Sequence, residues 1–542
     1  MNKRGRAAPA AGDALTLCGS FDLDLFRWLP SLSCLRQDNR QHALREVSCD
    51  VVVRHPIWEG KGTLERAVAA LCQMIIFLFL FLFLLFSTKL TAQTLKAKIS
   101  MPGSASEIRV ELELAEAVQS WSFRNSYASA TGLGDRIQDF GDGSKVLARK
   151  VTSGEFRSDL QVKNLSYKVN LDPASHAHDL AHISWLAGDN GFLMLGDLLP
   201  QFLGAQKLED QKVQIELDLP AGWTSVSAAI SNSPNLYETQ EPESTVILVG
   251  RDVRSKFRKV EGAELGIATT GALPFKESDA LAVAARVVQR YVGLTHHRLQ
   301  GRSVVLIGAF PFAQTAQWQA ETRGSSTILI LNPKARQKGW SGQLGVIFTH
   351  ELLHFWVPNS LRLTGDYDWF FEGFTLYQAL LTALDLKLIT FQEYLATLSR
   401  VYDSYLSHSD DLSLLEASER RWTGSASFVY DKGMLVAFLY DLITRQESKG
   451  KSGLADRYPA LFTSPAEASN ANDAIIGLLG SSPATQGFIK SYIEGRQPIS
   501  LEQLLPTYGL QLDSRGSNSH LFVNKELTAE QKEVLRSLGY KR

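Results

Sequence analysis

The sequence predicts an α+β multidomain fold, in which an N-terminal β-sandwich-like domain precedes a domain whose second half is mainly helical. The first observation is the alternation of apolar and polar residues in several short runs before residue 270, which is typical of half-buried strands. The second is a change, from about residue 272, to apolar residues at helical spacing. At about 150 residues per domain, the length of 542 residues predicts roughly three or four domains.

The composition indicates which kinds of partner and which metal-ligating residues to expect. Lys and Arg (56) balance Asp and Glu (57), so the net charge is -1. A nucleic-acid-binding chain normally carries a basic excess or stripe, so no nucleic-acid partner is expected. All four cysteines, Cys18, Cys34, Cys49 and Cys72, lie before residue 73. In the rest of the chain, a metal must therefore be held by histidine and carboxylate side chains.

One apolar segment determines the expected location. Residues 67–86 are 20 residues long and can span a bilayer, whereas their core, MIIFLFLFLFLLF, has the length of a signal-peptide core. We interpret residues 67–93 as a signal peptide or signal anchor, with cleavage slightly favoured. The protein is therefore expected to be exported to the periplasm, cell surface or extracellular space, with membrane anchoring through residues 67–86 as an option. Residues 1–66 stay an unassigned N-terminal extension, and a true start near Met74 is one hypothesis.

The elements follow in order along the chain. In the β-rich domain, residues 94–271, the runs IRVELEL from Ile108 and KVQIELDL from Lys212 alternate with a period of two. In the second domain, residues 272–512, the short apolar runs at 303–309 and 327–331 predict buried strands. Helices are predicted over Gln343–Trp356 and Trp369–Leu384, with further helices to about residue 494. Residues 513–542 form a short tail.

The strongest chemical signal is His350-Glu351-Leu-Leu-His354, an H-E-x-x-H motif within a helical pattern. Residues four apart lie on one helix face, so both imidazoles can bind one ion, and Glu351 can reach a water molecule there. Seventeen residues separate His354 from Glu372, which lies in WFFEGFT at the start of another helix. Two His and one Glu form a known catalytic zinc set with an open fourth position, so we predict one Zn²⁺ held by these three residues.

This pattern resembles the gluzincin zinc metallopeptidases, which include aminopeptidase N-like enzymes and the glycyl aminopeptidase family. HELLHFW followed by WFFEGFTLY is most similar to the glycyl aminopeptidases, and the resemblance covers about residues 94–512. It implies that residues 272–512 form a thermolysin-like gluzincin catalytic domain with Glu351 as the base. Many members of that family carry a PDZ domain, but only about 30 residues follow Leu512, so none is expected here.

The resemblance also implies roles for two further residues. Tyr430, in VYDKG at the start of a helical run, matches the tyrosine that stabilises the oxyanion in these enzymes. Glu321, 29 residues before His350, matches the glutamate that binds the free amine of the substrate. The Gly and His that flank this glutamate in the glycyl aminopeptidases are absent here, which puts strict exopeptidase action in doubt.

The predicted function is a zinc-dependent metallopeptidase, an aminopeptidase that removes N-terminal residues from a peptide or protein substrate. Two alternatives stay open: a gluzincin endopeptidase without amine recognition, and a catalytically silent, membrane-associated peptide-binding protein. The intact set of Glu351, Tyr430 and three metal ligands favours an active enzyme.

Overall fold

The structure, a computed structural model, describes residues 94–541 apart from 103–105, 142–147, 177–178, 314–316, 333–339, 422–423, 464–469 and 516–517. The predicted extension 1–66 and the apolar segment 67–93 therefore lie outside the described residues. Within the described part, no helix has the length and hydropathy that a bilayer crossing requires.

The first part of the chain consists of two sheets. In chain order its strands are β1 (Thr94–Ser100), β2 (Glu107–Ser122), β3 (Ser126–Tyr127), β4 (Ala130–Thr131), β5 (Ile137–Gly141), β6 (Ala148–Thr152), β7 (Glu155–Asn170), β8 (Trp185–Ala187), β9 (Asn190–Met194), β10 (Phe202–Leu203), β11 (Gln206–Lys207), β12 (Lys212–Asp218), β13 (Thr224–Ser227), β14 (Ile230–Ser233), β15 (Leu236–Thr239) and β16 (Val246–Gly250). A ten-stranded sheet is built around β2, β1 and β12, and a four-stranded sheet has the order β13-β16-β9-β8. A separate two-stranded pair joins β3 and β4.

The two sheets pack face to face, as the predicted sandwich-like domain requires. In β2, Ile108, Val110 and Leu112 point into the core between the sheets, and the charged residues between them point outward. In β16 of the other sheet, Ile247 and Val249 join the same core. Alternate residues of a strand lie on opposite faces, so the polar alternation of β2 reflects one solvated face.

A mixed five-stranded sheet follows. Its strands are β17 (Arg254–Val260), β18 (Ala263–Thr269), β19 (Arg302–Ala309), β20 (Trp318–Arg323) and β21 (Ser326–Leu331), in the order β17-β18-β19-β21-β20. Strands β18, β19 and β21 are parallel, whereas β17 and β20 are antiparallel edges. The predicted boundary between residues 271 and 272 lies after the first two strands of this sheet.

The five-stranded sheet is covered on both faces, which explains its uninterrupted apolar strands. In β19, Val304 and Leu306 pack against the four-stranded sheet, and Val305 and Ile307 pack against the helices. A strand buried on both sides is apolar throughout rather than alternating. The layers are therefore ten-stranded sheet, four-stranded sheet, five-stranded sheet and helices, and the fold has the predicted order of a β-rich part followed by a part with a helical second half.

Helices form most of the remainder. They are α1 (Leu195–Leu198), which lies between β9 and β10, then α2 (Glu277–Thr295), α3 (Trp340–Glu351), α4 (Thr375–Asp385), α5 (Phe391–Ser407), α6 (Leu414–Glu419), α7 (Ala426–Glu447), α8 (Tyr458–Thr463), α9 (Ala471–Leu479), α10 (Pro483–Tyr492), α11 (Leu501–Leu504) and α12 (Ala529–Ser537). Short 3-10 turns span Leu133–Arg136, Leu208–Asp210, Leu352–Phe355, Leu454–Arg457 and Leu505–Tyr508, and a π-helical turn spans Trp369–Phe374.

The segment predicted as a tail packs on the helical part. Strands β22 (Leu510–Arg515) and β23 (Asn518–Val523) form a hairpin that precedes α12. The side chains of Leu521 and Leu535 are buried in the core shared by the helices. The backbone N–H of Leu521 donates to Ser399 Oγ of α5 at 2.9 Å. The hairpin and α12 therefore complete the helical core.

Candidate active site

The two histidines of the H-E-x-x-H motif lie where α3 tightens into a 3-10 turn. His350 and Glu351 are the last two residues of α3, and His354 lies in the turn that follows. The Nε2 atoms of His350 and His354 are 3.2 Å apart. His354 Nδ1 donates to the Val357 carbonyl oxygen at 2.9 Å, which fixes the ring and leaves Nε2 as the ligand atom for an ion.

Glu372 reaches the histidines from a π-helical turn. It is fully buried in the segment Trp369–Phe374, which leads into α4. Turns of this kind are rare and occur frequently at functional sites. Glu372 Oε2 lies 3.8 Å from His350 Nε2 and 3.6 Å from His354 Nε2. The three predicted metal ligands therefore face one point.

These residues fit a zinc ion. Within the described ranges, His350, His354 and Glu372 are the one group of three such side chains close enough to share an ion, with ligand atoms within 4.8 Å of one another. Glu372 Oε2 is buried and has no hydrogen-bond partner among the described residues. Burial lowers the pKa of His354 to about 4 and that of His350 well below its ordinary value, so both imidazoles are neutral at physiological pH. Neutral imidazole and carboxylate are zinc ligands, and three of them leave one position open.

Glu351 lies beside the ligands with one oxygen held and the other unpaired. Thr322 Oγ1 on β20 donates to Glu351 Oε2 at 2.9 Å. Glu351 Oε1 is buried without a hydrogen-bond partner in the part of the chain that the structure describes. Burial raises the pKa of Glu351 well above its ordinary value, although the Thr322 hydrogen bond opposes this. A carboxylate that binds protons more readily is suited to take one from water, and a nearby cation would moderate the rise.

Tyr430 reaches the site because two helical segments cross at glycines. Segment Trp369–Phe374 packs on α7 so closely that a Cβ added to Gly373 would lie 2.5 Å from Gly433 Cα. Only glycine allows backbones to approach in this way. The crossing brings the buried Tyr430 hydroxyl to Glu372, with which it shares a hydrogen bond. The glycines of E-G-F-T and D-K-G thus set the spacing between these two side chains.

A buried arginine that the sequence analysis missed joins these groups. Arg421 Nη2 donates to Glu372 Oε1 at 2.9 Å and to the Tyr430 hydroxyl oxygen at 2.6 Å, and Nη1 pairs with Asp368. Burial raises the pKa of Glu372 to about 8, although the charge of Arg421 opposes that rise, and a bound cation would lower the pKa again so that the ligand is the carboxylate. No motif marks Arg421, which follows the exposed Arg420, so no signal in the sequence distinguishes the two.

The carboxylate of Glu321 is engaged by side chains of the N-terminal domain and of its own strand, and its charge also contributes to the raised pKa of Glu351. Glu321 Oε1 accepts from the Tyr127 hydroxyl at 2.5 Å and lies 3.1 Å from Arg323 Nε, and its Oε2 is 2.8 Å from His182 Nδ1. Although burial raises the pKa of Glu321, Arg323 and His182 more than offset this and hold it at about 2. Its neighbour Thr322 lies on the opposite strand face, toward the proposed base. The structure thus brings five of the six predicted site residues together and engages the sixth in an internal ion pair.

Comparison with known proteins gives the fold. No protein-family model matches the chain, and no curated protein matches its sequence significantly. An aminopeptidase N family protein from Idiomarina loihiensis is similar in structure, with 16% identity, a TM-score of 0.66, and coverage of 77% of this chain and 79% of that chain. An M1 zinc metallopeptidase from Deinococcus radiodurans matches with 15% identity, a TM-score of 0.47, and coverage of 76% of this chain and 95% of that chain. Over 77% of its length, the chain therefore has the fold of an aminopeptidase N family protein.

Proposed function

We propose that the chain is a zinc-dependent metallopeptidase, with an aminopeptidase as the first candidate. The observation that carries this proposal is the convergence of His350, His354 and Glu372 on one point, with Glu351 beside them. Three protein ligands leave a fourth position open, which suits a catalytic rather than a structural zinc. Similarity in fold to an aminopeptidase N family protein supports the same class.

Each side chain of the site has a role in peptide hydrolysis. A zinc ion held by the three ligands would polarise the scissile carbonyl and make water nucleophilic at neutral pH. Glu351 accepts the proton of the attacking water and returns it to the leaving amine. Thr322 holds the other Glu351 oxygen at 2.9 Å, which orients the carboxylate. Tyr430 donates a hydrogen bond to the oxyanion that forms at the carbonyl and keeps its proton.

A peptide substrate is supported by the position of β20. Among the described strands, β20 pairs with β21 alone and is an edge of the five-stranded sheet. Its residue Thr322 contacts Glu351, so the edge runs past the proposed base. An extended peptide can add to such an edge through backbone hydrogen bonds, which suits a substrate whose peptide bond must lie beside that base.

A second candidate, an endopeptidase without amine recognition, is favoured by one observation. Glu321 is the residue expected to bind the substrate amine, yet its carboxylate pairs with Arg323 and His182 inside the protein. An acid already neutralised by a buried guanidinium attracts a second cation weakly. Recognition of a free N-terminus through Glu321 would therefore have to compete with these internal pairs.

Hydrolysis by the zinc-loaded full chain distinguishes these candidates. Matched peptides with free and with acetylated N-termini are offered, before and after removal of zinc by a chelator. Cleavage that a chelator abolishes and zinc restores supports the metallopeptidase. Release of N-terminal residues from free-amine peptides alone identifies an aminopeptidase, and internal cleavage of acetylated peptides identifies an endopeptidase. No cleavage of either by zinc-bound protein would contradict the proposal and favour a silent peptide-binding protein.

We also propose export of the protein, on the basis of the apolar segment 67–86. Fractionation of expressing cells, followed by mass spectrometry of the native N-terminus, tests this. A protein in the periplasm, at the surface or in the medium is expected, with an N-terminus near residue 93 if the segment is cleaved. Recovery in the cytosol with residues 1–66 intact would contradict both export and a start near Met74.

A further inference from the structure

The guanidinium of Arg421 holds two proposed site residues at once. Nη2 donates to Glu372 Oε1 at 2.9 Å and to the Tyr430 hydroxyl at 2.6 Å, and Nη1 pairs with Asp368. The Arg421 side chain is only 2% exposed. It lies 5.6 Å from the ring centre of Phe371 and 5.4 Å from that of Tyr430. Arg421 is therefore enclosed by the groups that it binds.

The contact with Arg421 gives the two carboxylate oxygens of Glu372 different roles. Arg421 occupies Oε1, whereas Oε2 faces the histidines at 3.8 Å from His350 Nε2 and 3.6 Å from His354 Nε2. Groups that hydrogen-bond a metal ligand orient it and tune its affinity for the ion. Arg421 thus turns the carboxylate so that one oxygen points toward the metal position.

The contact with Tyr430 limits the direction of the phenol proton. A guanidinium offers only donors, so the Tyr430 oxygen must accept from Arg421. The hydroxyl proton of Tyr430 must then point away from Arg421, toward Glu372 or toward a substrate oxygen. A lysine ammonium is a compact point charge without the planar fork of a guanidinium, so it could not hold both partners equally well.

We propose that Arg421 is a positioning residue for peptide hydrolysis, an inference that rests on the proposed function. It orients Glu372 for ligation through Oε2 and keeps the Tyr430 proton on the side away from the guanidinium, where Glu372 holds it until a substrate carbonyl can accept the hydrogen bond. It touches neither the ion nor the substrate in this role, and acts through the two residues it holds.

Zinc affinity, measured without substrate by competition with a chelator, tests whether Arg421 orients Glu372. Arg421→Gln should weaken zinc binding by about 10- to 100-fold, and Arg421→Lys should weaken it less. Arg445→Gln is the matched control, because Arg445 is largely buried, with a side chain 12% exposed, and pairs with the buried carboxylate of Asp441 at 2.8 Å, but has no described contact with the metal ligands. The control should lower the melting temperature and leave zinc affinity unchanged.

A double-mutant cycle with Tyr430→Phe, measured by enzyme kinetics, tests whether Arg421 orients the Tyr430 hydroxyl. In the wild-type background, Arg421→Lys should lower kcat about 10-fold or more with little change in KM, by analogy with the loss of a group that orients a catalytic donor. In the Tyr430→Phe background, the same substitution should have a much smaller effect on kcat, because the residue it positions is gone.

Two results would overturn the inference. One is a zinc affinity of the Arg421 variants equal to that of Arg445→Gln, and the other is additive effects of Arg421→Lys and Tyr430→Phe on kcat. If Arg421→Gln does not fold, Arg421→Lys provides both readouts. If the wild-type protein cleaves no peptide, the proposed function fails, whereas the zinc-affinity comparison still decides whether Arg421 orients Glu372.

Discussion

Replacing Gly373 with alanine should push apart the two segments that carry Glu372 and Tyr430. A Cβ at position 373 would lie 2.5 Å from Gly433 Cα and 2.7 Å from the Gly433 carbonyl carbon. Both are backbone atoms, so no rotation of a side chain can relieve the contact. The crossing of the π-helical turn over α7 must open instead.

The size of the effect follows from this distance. Carbon atoms in contact settle at about 3.5–4.0 Å, so the backbones must separate by roughly 1 Å. Overpacking of a close-packed interior costs about 1–3 kcal/mol. A displacement of about 1 Å in catalytic groups can lower turnover by about 10²-fold. Gly373→Ala should therefore melt at a lower temperature and lose about two orders of magnitude in kcat.

The assay compares Gly373→Ala with Gly477→Ala in the full chain, by thermal unfolding and by kcat for peptide hydrolysis. A Cβ at Gly477, in α9, would meet nothing within 4 Å. Alanine in a helix interior is favoured over glycine by about 0.5–1 kcal/mol, so this control should be slightly more stable and fully active. If the two variants have the same melting temperature and the same kcat, the glycine crossing does not set the spacing between Glu372 and Tyr430.

Other consequences of the structure can be measured separately. Arg323→Met should destabilise the fold by about 3–5 kcal/mol in chemical denaturation, because it leaves the buried carboxylate of Glu321 without its guanidinium partner. Arg302→Met, which removes a half-exposed pair with Glu264, should lower the free energy of unfolding by about 1 kcal/mol at most. Equal losses of stability in Arg323→Met and Arg302→Met would show that the buried pair of Arg323 and Glu321 is worth no more than the exposed one. Because folding lowers the pKa of Glu321 from 4.5 to about 2, its carboxylate stabilises the fold above pH 4.5, and this contribution is lost as the pH falls from 4.5 to 2. Glu321→Gln should flatten the dependence of stability on pH in that window, and an unchanged slope would refute the assignment. His354→Ala should abolish tight zinc binding in atomic absorption, whereas full zinc occupancy would remove His354 from the ligand set.

The three candidate metal ligands and many elements could be identified from the sequence because their signals are local. The runs at 303–309 and 327–331 are apolar without alternation, and they form β19 and β21, which are buried on both faces. The spacing of His350 and His354 places them on one helical face. Glu372 lies among aromatic residues, and 17 residues separate it from His354. Each of these signals depends on spacing along one short segment.

Features that depend on packing between distant segments could not be predicted in this way. Arg421 and Glu372 are 49 residues apart, and Glu321 and His182 are 139 residues apart. Whether Glu321 or Thr322 faces the base depends on the parity of one strand, which a shift of one residue would invert. The sequence likewise indicated a β-rich region to about residue 270 without showing that its last two strands, β17 and β18, belong to the five-stranded sheet.

Glu351→Gln in the full chain tests whether Glu351 is the base of a zinc peptidase site. Glutamine has nearly the same shape and can accept the Thr322 hydrogen bond, but it cannot take a proton from water. Bound zinc and peptide hydrolysis are measured on the same samples as wild-type protein. We expect one zinc per chain in both proteins and a fall in kcat of about 10²–10⁴-fold or more in the variant. A variant that keeps zinc and hydrolyses peptides at the wild-type rate would show that Glu351 is not the base.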